Sequence, residues 1–303
     1  MSLFFKGVIP PMITPFTAEG EVDYVKFEKN MIKWNETALC GYLVLGSNSE
    51  TAYLTETEKL KLVELSKKTA SKDRILIAGT GMETDRETIA LTNKAADLGA
   101  QAALILTPCY YSSAMSAPAL INYFTKVADG SKIPIMLYNV PKFTHVNLPD
   151  SALSALCKHP NIIGMKDSTG DISQLIRFQA IASAADFQIL VGTASAWYPA
   201  LTLGVKAGIF ALANSNPNEL SKIQELYENN EQGAAVALFR KMFVLNTAVT
   251  ATYGIAGLKY AAKLLGFEGG YVRCPLIELN DEKKKEVEEI FKEYIKGKDD
   301  PCL

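Results

Sequence analysis

The residue in this chain best placed to do covalent chemistry is Lys166. It ends the apolar run Ile162-Ile163-Gly164-Met165 and is followed by Asp167, Ser168, Thr169 and Gly170. Entered through His159-Pro160-Asn161 and closed by a polar turn, the run reads as a short buried strand. Burial disfavours an ammonium, moving a lysine below its ordinary value of ~10.4. An ordinary lysine is neutral at pH 7 in about one molecule in 2500, and each unit lost multiplies that fraction about tenfold. A neutral amine beside a carbonyl carbon forms a Schiff base. A lysine that only snorkels to the rim would occupy the same segment. Schiff-base formation also needs a proton carrier, and Tyr138 closes another apolar run. A tyrosine that merely packs its ring and bonds its hydroxyl locally fits that position too.

The elements that must position these side chains repeat eight times. Apolar runs at 7–14, 41–46, 75–80, 102–107, 133–138, 162–166, 187–192 and 207–213 alternate with amphipathic stretches at 24–34, 56–69, 85–98, 118–128, 149–157, 173–184, 196–203 and 217–228. Each pair has the length of a βα unit, and the strands are apolar throughout, as in a parallel sheet covered on both faces. Eight units predict an α/β fold of the (β/α)8 TIM-barrel type over residues 1–228. Further helical stretches at 232–247, 257–265 and 281–296 predict a C-terminal helical extension over 229–303. A Rossmann fold fits less well, because Gly79-Thr80-Gly81 lacks the third glycine of the dinucleotide fingerprint.

Barrel enzymes work at the carboxyl ends of their strands. Those ends carry Ser47-Asn48, Thr80, Thr107 to Tyr110, Tyr138-Asn139, Lys166-Asp167, Gly192-Thr193 and Ala213-Asn214. Hydroxyls, amides and small residues surround a single lysine, which suits a small oxygenated acid. No carboxylate pair stands ready for glycosidase chemistry.

Composition narrows the partners. The 303 residues are 48% hydrophobic and 21% charged, with a formal net charge of −2. Neither nucleic acid nor a membrane is expected from this balance, and no apolar run is read as approaching the ~20 residues of a spanning helix. The start lacks a signal-peptide plan. The five cysteines are scattered and the two histidines, His145 and His159, form no metal-ligand spacing. A reduced cytoplasmic protein without metal or cofactor is expected, with His159 structural.

Three motifs together resemble the dihydrodipicolinate synthase/N-acetylneuraminate lyase family of pyruvate-dependent class I aldolases: Gly46-Ser47-Asn48-Ser49-Glu50, Tyr138-Asn139-Val140-Pro141 and Gly164-Met165-Lys166-Asp167-Ser168. The correspondence runs from Gly7 to Ile277. It implies a Schiff base between Lys166 and pyruvate, and proton relay by Tyr138. It implies a pyruvyl carboxylate held by Ser47 and Asn48, with Ser168 and Phe210 also at the substrate. Ser47 and Asn48 are equally ordinary turn residues. The family often completes the relay with an aromatic hydroxyl from a neighbouring subunit; Tyr110 matches that position best, with Tyr111 the alternative. A homo-oligomer, a dimer of dimers, follows from the same resemblance.

Departures from the family pattern bear on the acceptor. Dihydrodipicolinate synthases carry an arginine after Tyr-Asn-Val-Pro that grips the carboxylate of aspartate semialdehyde; here Phe143 stands there, between Lys142 and Thr144. An aromatic ring cannot supply a bidentate, charge-assisted contact. Asn48, the 108–111 segment, the 211–214 segment and Gly254-Ile255-Ala256-Gly257-Leu258-Lys259 are closer to the 4-hydroxy-2-oxoglutarate aldolase group. The expected reaction is cleavage of a 4-hydroxy-2-oxo acid to pyruvate and an aldehyde. The alternatives are 4-hydroxy-tetrahydrodipicolinate synthesis, a sugar-acid lyase, and an idle 2-oxo-acid-binding member. Ser49 and His145 replace residues that are commonly glycine in the family.

Overall fold

The computed structural model describes residues 3–296 and contains eight parallel strands: β1 (Gly7–Ile9), β2 (Gly41–Val44), β3 (Ile75–Gly79), β4 (Ala102–Leu106), β5 (Ile135–Asn139), β6 (Ile162–Asp167), β7 (Gln188–Val191) and β8 (Ala207–Ile209). Each strand pairs in parallel with its sequence neighbour from β2 through β8, and β8 pairs with β1. The circle closes between β1 and β2 by a bridge from Pro11 to Leu43. Backbone bonds support it from Cys40 N–H to Val8 O (3.0 Å), Leu43 N–H to Pro10 O (3.1 Å) and Met12 N–H to Leu43 O (2.9 Å). This is the (β/α)8 barrel expected, with the expected helices between strands.

Side-chain alternation divides the apolar residues into an inner and an outer core. Inside the barrel lie Ile9, Leu43, Ile77, Met136, Leu190 and Ile209. Outside, Trp34, Trp197 and Phe124 pack between sheet and helices. Helix starts are fixed by side-chain caps: Asp23, Thr84, Ser116 and Asp171 each accept a backbone N–H, and Thr55 forms a reciprocal capping box with Glu58.

Boundaries moved where proline intervenes. The first strand ends at Ile9 instead of residue 14 because Pro10 and Pro11 have no N–H to give a ladder. A short helix, Pro141–Thr144, was not anticipated; proline opens it and His145, at φ 55°, ends it in the left-handed region.

Beyond the barrel come the helices Gln232–Thr247, Gly254–Leu264 and Asp281–Lys296, near the expected ranges. Residues 297–303 of the expected extension lie outside the described residues, as do Met1 and Ser2. The first helix continues through a π-helical turn, Ala248–Thr252. The combined stretch Gln232–Thr252, 21 residues long, is apolar enough to cross a bilayer by length and composition, which corrects the expectation that no run approached that length. Its small and hydroxylated residues obscure this in a reading by apolar runs. It packs on Pro217–Glu228 and on the turn after β7.

Candidate active site

Register places Lys166 and Tyr138 side by side. β5 and β6 pair Tyr138 with Lys166 and Asn139 with Asp167, so the first pair points into the barrel and the second outward. Leu106 and Leu190 continue the same layer on either side. Lys166 is 3% exposed and Tyr138 6%, and the Lys166 Nζ lies 4.2 Å from the centroid of the tyrosine ring. The Tyr138 hydroxyl stands 3.4 Å from Ser47 Oγ. Burial pushes the phenol up. The Lys166 charge, with contacts from Ser47, Lys166 and Ser168, outweighs burial and holds Tyr138 below its ordinary value. A phenol so held gives up its proton more readily than a free tyrosine.

Ser47 and Asn48 belong to a single 3₁₀ turn, Ser47–Ser49, at the end of β2. Both are half-buried, and the turn is fixed from behind. Ser49 is buried and its Oγ donates to Met12 O at 2.5 Å; Glu50 then turns the chain in the left-handed region, φ 56°. Ser49, a departure from the family's glycine, thus serves as an anchor for the turn.

Ser168 sits beside the lysine. Among the described residues its buried Oγ has no hydrogen-bond partner of good geometry. A Cβ on Gly192 would fall 1.8 Å from Ser168 Oγ and 2.9 Å from Lys166 Cε. Gly192 therefore makes the space that both side chains occupy, a role that sequence reasoning missed although the glycine directly follows β7.

Behind this layer, Asp167 is held outward by Asn139 Nδ2 (2.8 Å), Gln174 Nε2 (3.3 Å) and Thr169 Oγ1 (2.6 Å). Burial nevertheless leaves its carboxyl above the usual carboxylate value. These bonds tie the two strand ends together across the pair that carries Tyr138 and Lys166.

The remaining expected residues are distributed differently. Tyr110 and Tyr111 are 78% and 71% exposed on the loop after β4, packed edge-to-face on each other at 4.9 Å. That loop is pinned by the Glu83 carboxylate, which accepts the backbone N–H groups of Cys109 (3.1 Å) and Tyr110 (3.0 Å). Phe210 is not brought to the lysine. It is fully buried in the outer core against Trp197, ring centroids 5.1 Å apart, because Ile209 before it takes the inward position. Phe143 is 51% exposed on the short helix after β5, and the neighbouring Lys142 Nζ donates to Thr250 O at 2.8 Å. The helix Gln232–Thr247 adds a residue the sequence did not single out: buried Asn246 donates to Thr193 Oγ1 (3.2 Å) and Ser195 Oγ (2.8 Å) in the turn after β7. His159 is structural, meeting Asp129 and the backbone of Asn161.

A closed (β/α)8 barrel that buries a lysine and a tyrosine in register at its carboxyl end has the parts that Schiff-base chemistry needs. The chain belongs to the dihydrodipicolinate synthetase family, whose description it matches over residues 4–294. It is an enzyme of the family's class I, Schiff-base type, a carbon–carbon lyase. It is 32% identical over 287 residues to the 4-hydroxy-tetrahydrodipicolinate synthase of Methanothrix thermoacetophila, covering 95% of this chain and 96% of that one. It is also 32% identical over 302 residues to the enzyme of the same name from Macrococcus caseolyticus, covering 99% of both. Among solved structures it is similar to YagE, a prophage protein of the same family from Escherichia coli K12, in complex with pyruvate. That likeness has a TM-score of 0.89, 25% identity, and coverage of 97% of this chain and 99% of that one.

Proposed function

We propose that Lys166 forms the Schiff base, that pyruvate is the donor, and that Tyr138 moves the protons. The observation that carries this is the in-register pair, with Nζ 4.2 Å from the Tyr138 ring and the phenol held below its ordinary value. Nζ attacks the keto carbon of pyruvate, and the resulting carbinolamine loses water as the Tyr138 hydroxyl protonates the leaving oxygen. Loss of a methyl proton gives the enamine, whose terminal carbon bonds to the aldehyde carbon. The new alkoxide is protonated, and water then hydrolyses the imine to free Nζ. Cleavage runs the same steps in reverse. The hydroxyl of Ser47 and the amide of Asn48 hold the pyruvyl carboxylate, and Tyr110 of a second subunit completes the relay.

For the acceptor, the relatives favour 4-hydroxy-tetrahydrodipicolinate synthesis, the name both carry, over the 4-hydroxy-2-oxoglutarate cleavage expected from the motifs. Aspartate semialdehyde is therefore the leading acceptor. The second reading, cleavage to pyruvate and glyoxylate, rests on Phe143 in place of the gripping arginine and on a Lys142 ammonium already engaged with Thr250 O. Losing a charged hydrogen bond costs ~1.5–3 kcal/mol, or about one to two orders of magnitude in discrimination. Measuring kcat/KM for semialdehyde condensation and for 4-hydroxy-2-oxoglutarate cleavage on one preparation decides between them. A tenfold advantage, on the order of one lost charged contact, for condensation supports the first reading. The reverse ratio overturns it in favour of the second.

A further inference from the structure

One motif from the sequence, ending in Lys259, has no place in the chemistry above, yet it carries a buried charge. Lys259 lies on Gly254–Leu264 in the C-terminal extension, and its side chain is 2% exposed against 0% for its partner, Glu50. The Nζ meets Glu50 Oε1 at 2.5 Å, donates to Tyr271 O at 2.5 Å, and stands 4.5 Å from the Phe16 ring centroid. Glu50 Oε1 is thus one half of a buried ion pair. Its other oxygen, Oε2, accepts the Arg273 backbone N–H at 2.8 Å. The Arg273 guanidinium grips Glu58 at 2.6 and 2.9 Å, donates to Tyr53 O and Gly20 O at 2.8 Å each, and covers Phe16 from 4.4 Å.

Removing two charges from water is expensive, and a buried pair is a poor way to gain stability alone. What this pair does is local. Glu50 is the left-handed residue that ends the Ser47–Ser49 turn, and its N–H donates to Ser47 O at 3.1 Å. A non-glycine residue at φ 56° stays there only where its surroundings hold it. Both carboxylate oxygens of Glu50 are held by the C-terminal extension, so the extension fixes the turn that carries Ser47 towards Tyr138.

We propose that Lys259 and Arg273 are positioning residues for the pyruvate carboxylate pocket, acting through Glu50 on Ser47 and Asn48. The inference rests on the pyruvate reading above. The C-terminal extension is then part of the binding apparatus for the donor, acting from behind the turn.

The test measures pyruvate KM and kcat on the whole enzyme carrying Glu50→Gln and Lys259→Met together. The double variant removes both charges and leaves neither stranded. We expect pyruvate KM to rise at least about tenfold, with kcat at saturating pyruvate within about twofold of the unaltered enzyme, the pattern of lost uniform binding. An unchanged KM in the folded double variant, or a loss confined to kcat, overturns the proposal. Borohydride trapping of pyruvate on Lys166 in the unaltered enzyme reports on the underlying reading separately. If trapping succeeds there and the variant KM is unchanged, only this inference fails; if trapping fails there, both fall. Should the substitutions prevent folding, amide exchange on the unaltered enzyme gives the answer. Pyruvate should slow the Glu50 and Arg273 amides together by at least about fivefold. Protection of Glu50 without Arg273 overturns the link.

Discussion

Tyr138 and Lys166 are register partners on adjacent parallel strands, and a bulge sets their phase. Ile162 pairs with Ile135 and Gly164 with Met136, so Ile163 is an extra residue that shifts the rest of β6 by one. Without that shift Met165 would face Tyr138, and the lysine would point into the helical layer. Gly164 permits the shift at close quarters, since a Cβ there would fall 2.4 Å from Gln188 O on β7. The distance between the two reacting groups is thus set by backbone pairing, the stiffest part of the barrel.

Tyr138→Phe keeps the ring against Lys166 and removes only the hydroxyl that meets Ser47. Turnover should fall by ~10²–10⁴, the range of general acid–base catalysis. The melting temperature should change little. A large drop in melting temperature with turnover intact would mean that the hydroxyl serves packing.

Gly192→Ala should damage the site without touching either reacting group. The added methyl would overlap Ser168 Oγ and press on Lys166 Cε. We expect kcat/KM to fall by at least about tenfold, as displacement of a positioned group by a fraction of an ångström commonly does. Full activity would show that the two side chains rearrange freely.

Acid should weaken the anchor between barrel and extension. Hydrogen bonding from Arg273, against the opposing effect of burial, brings Glu58 down from 4.5 to about 2. The folded carboxyl binds its proton less tightly than the unfolded one. The stability this contributes is therefore full above 4.5 and is lost as pH falls towards about 2. Glu58→Gln should melt below the unaltered protein at pH 7, and that gap should narrow at pH 3. Melting curves at both pH values check this, and an equal gap at both would contradict it.

Tyr110 should act across a subunit contact. Tyr110→Phe and Lys166→Ala are each expected to be strongly impaired, and co-folding the two should restore activity, because hybrid assemblies contain one site with both residues intact. Light scattering should show at least a dimer. A fully active monomer would remove the shared-site reading.

Much of this was legible in the sequence, for specific reasons. Lys166 and Tyr138 stood out because each ends an apolar run. The barrel was legible because eight such runs recur at βα spacing. Phe210 went astray because β8 is apolar on both faces, so alternation gave no sign of which residue faced inward. The helix Pro141–Thr144 is too short to show a helical period. The contacts of Glu50 with Lys259 and of Asn246 with Thr193 join segments remote in sequence, and only the folded chain brings them together.

The most direct test of the central claim is reductive trapping. The enzyme is incubated with pyruvate and borohydride, digested, and its peptides are mapped by mass spectrometry. One reduced pyruvyl adduct is expected, on Lys166, accumulating in step with irreversible loss of activity. An adduct on another lysine, or inactivation with Lys166 unmodified, would contradict it.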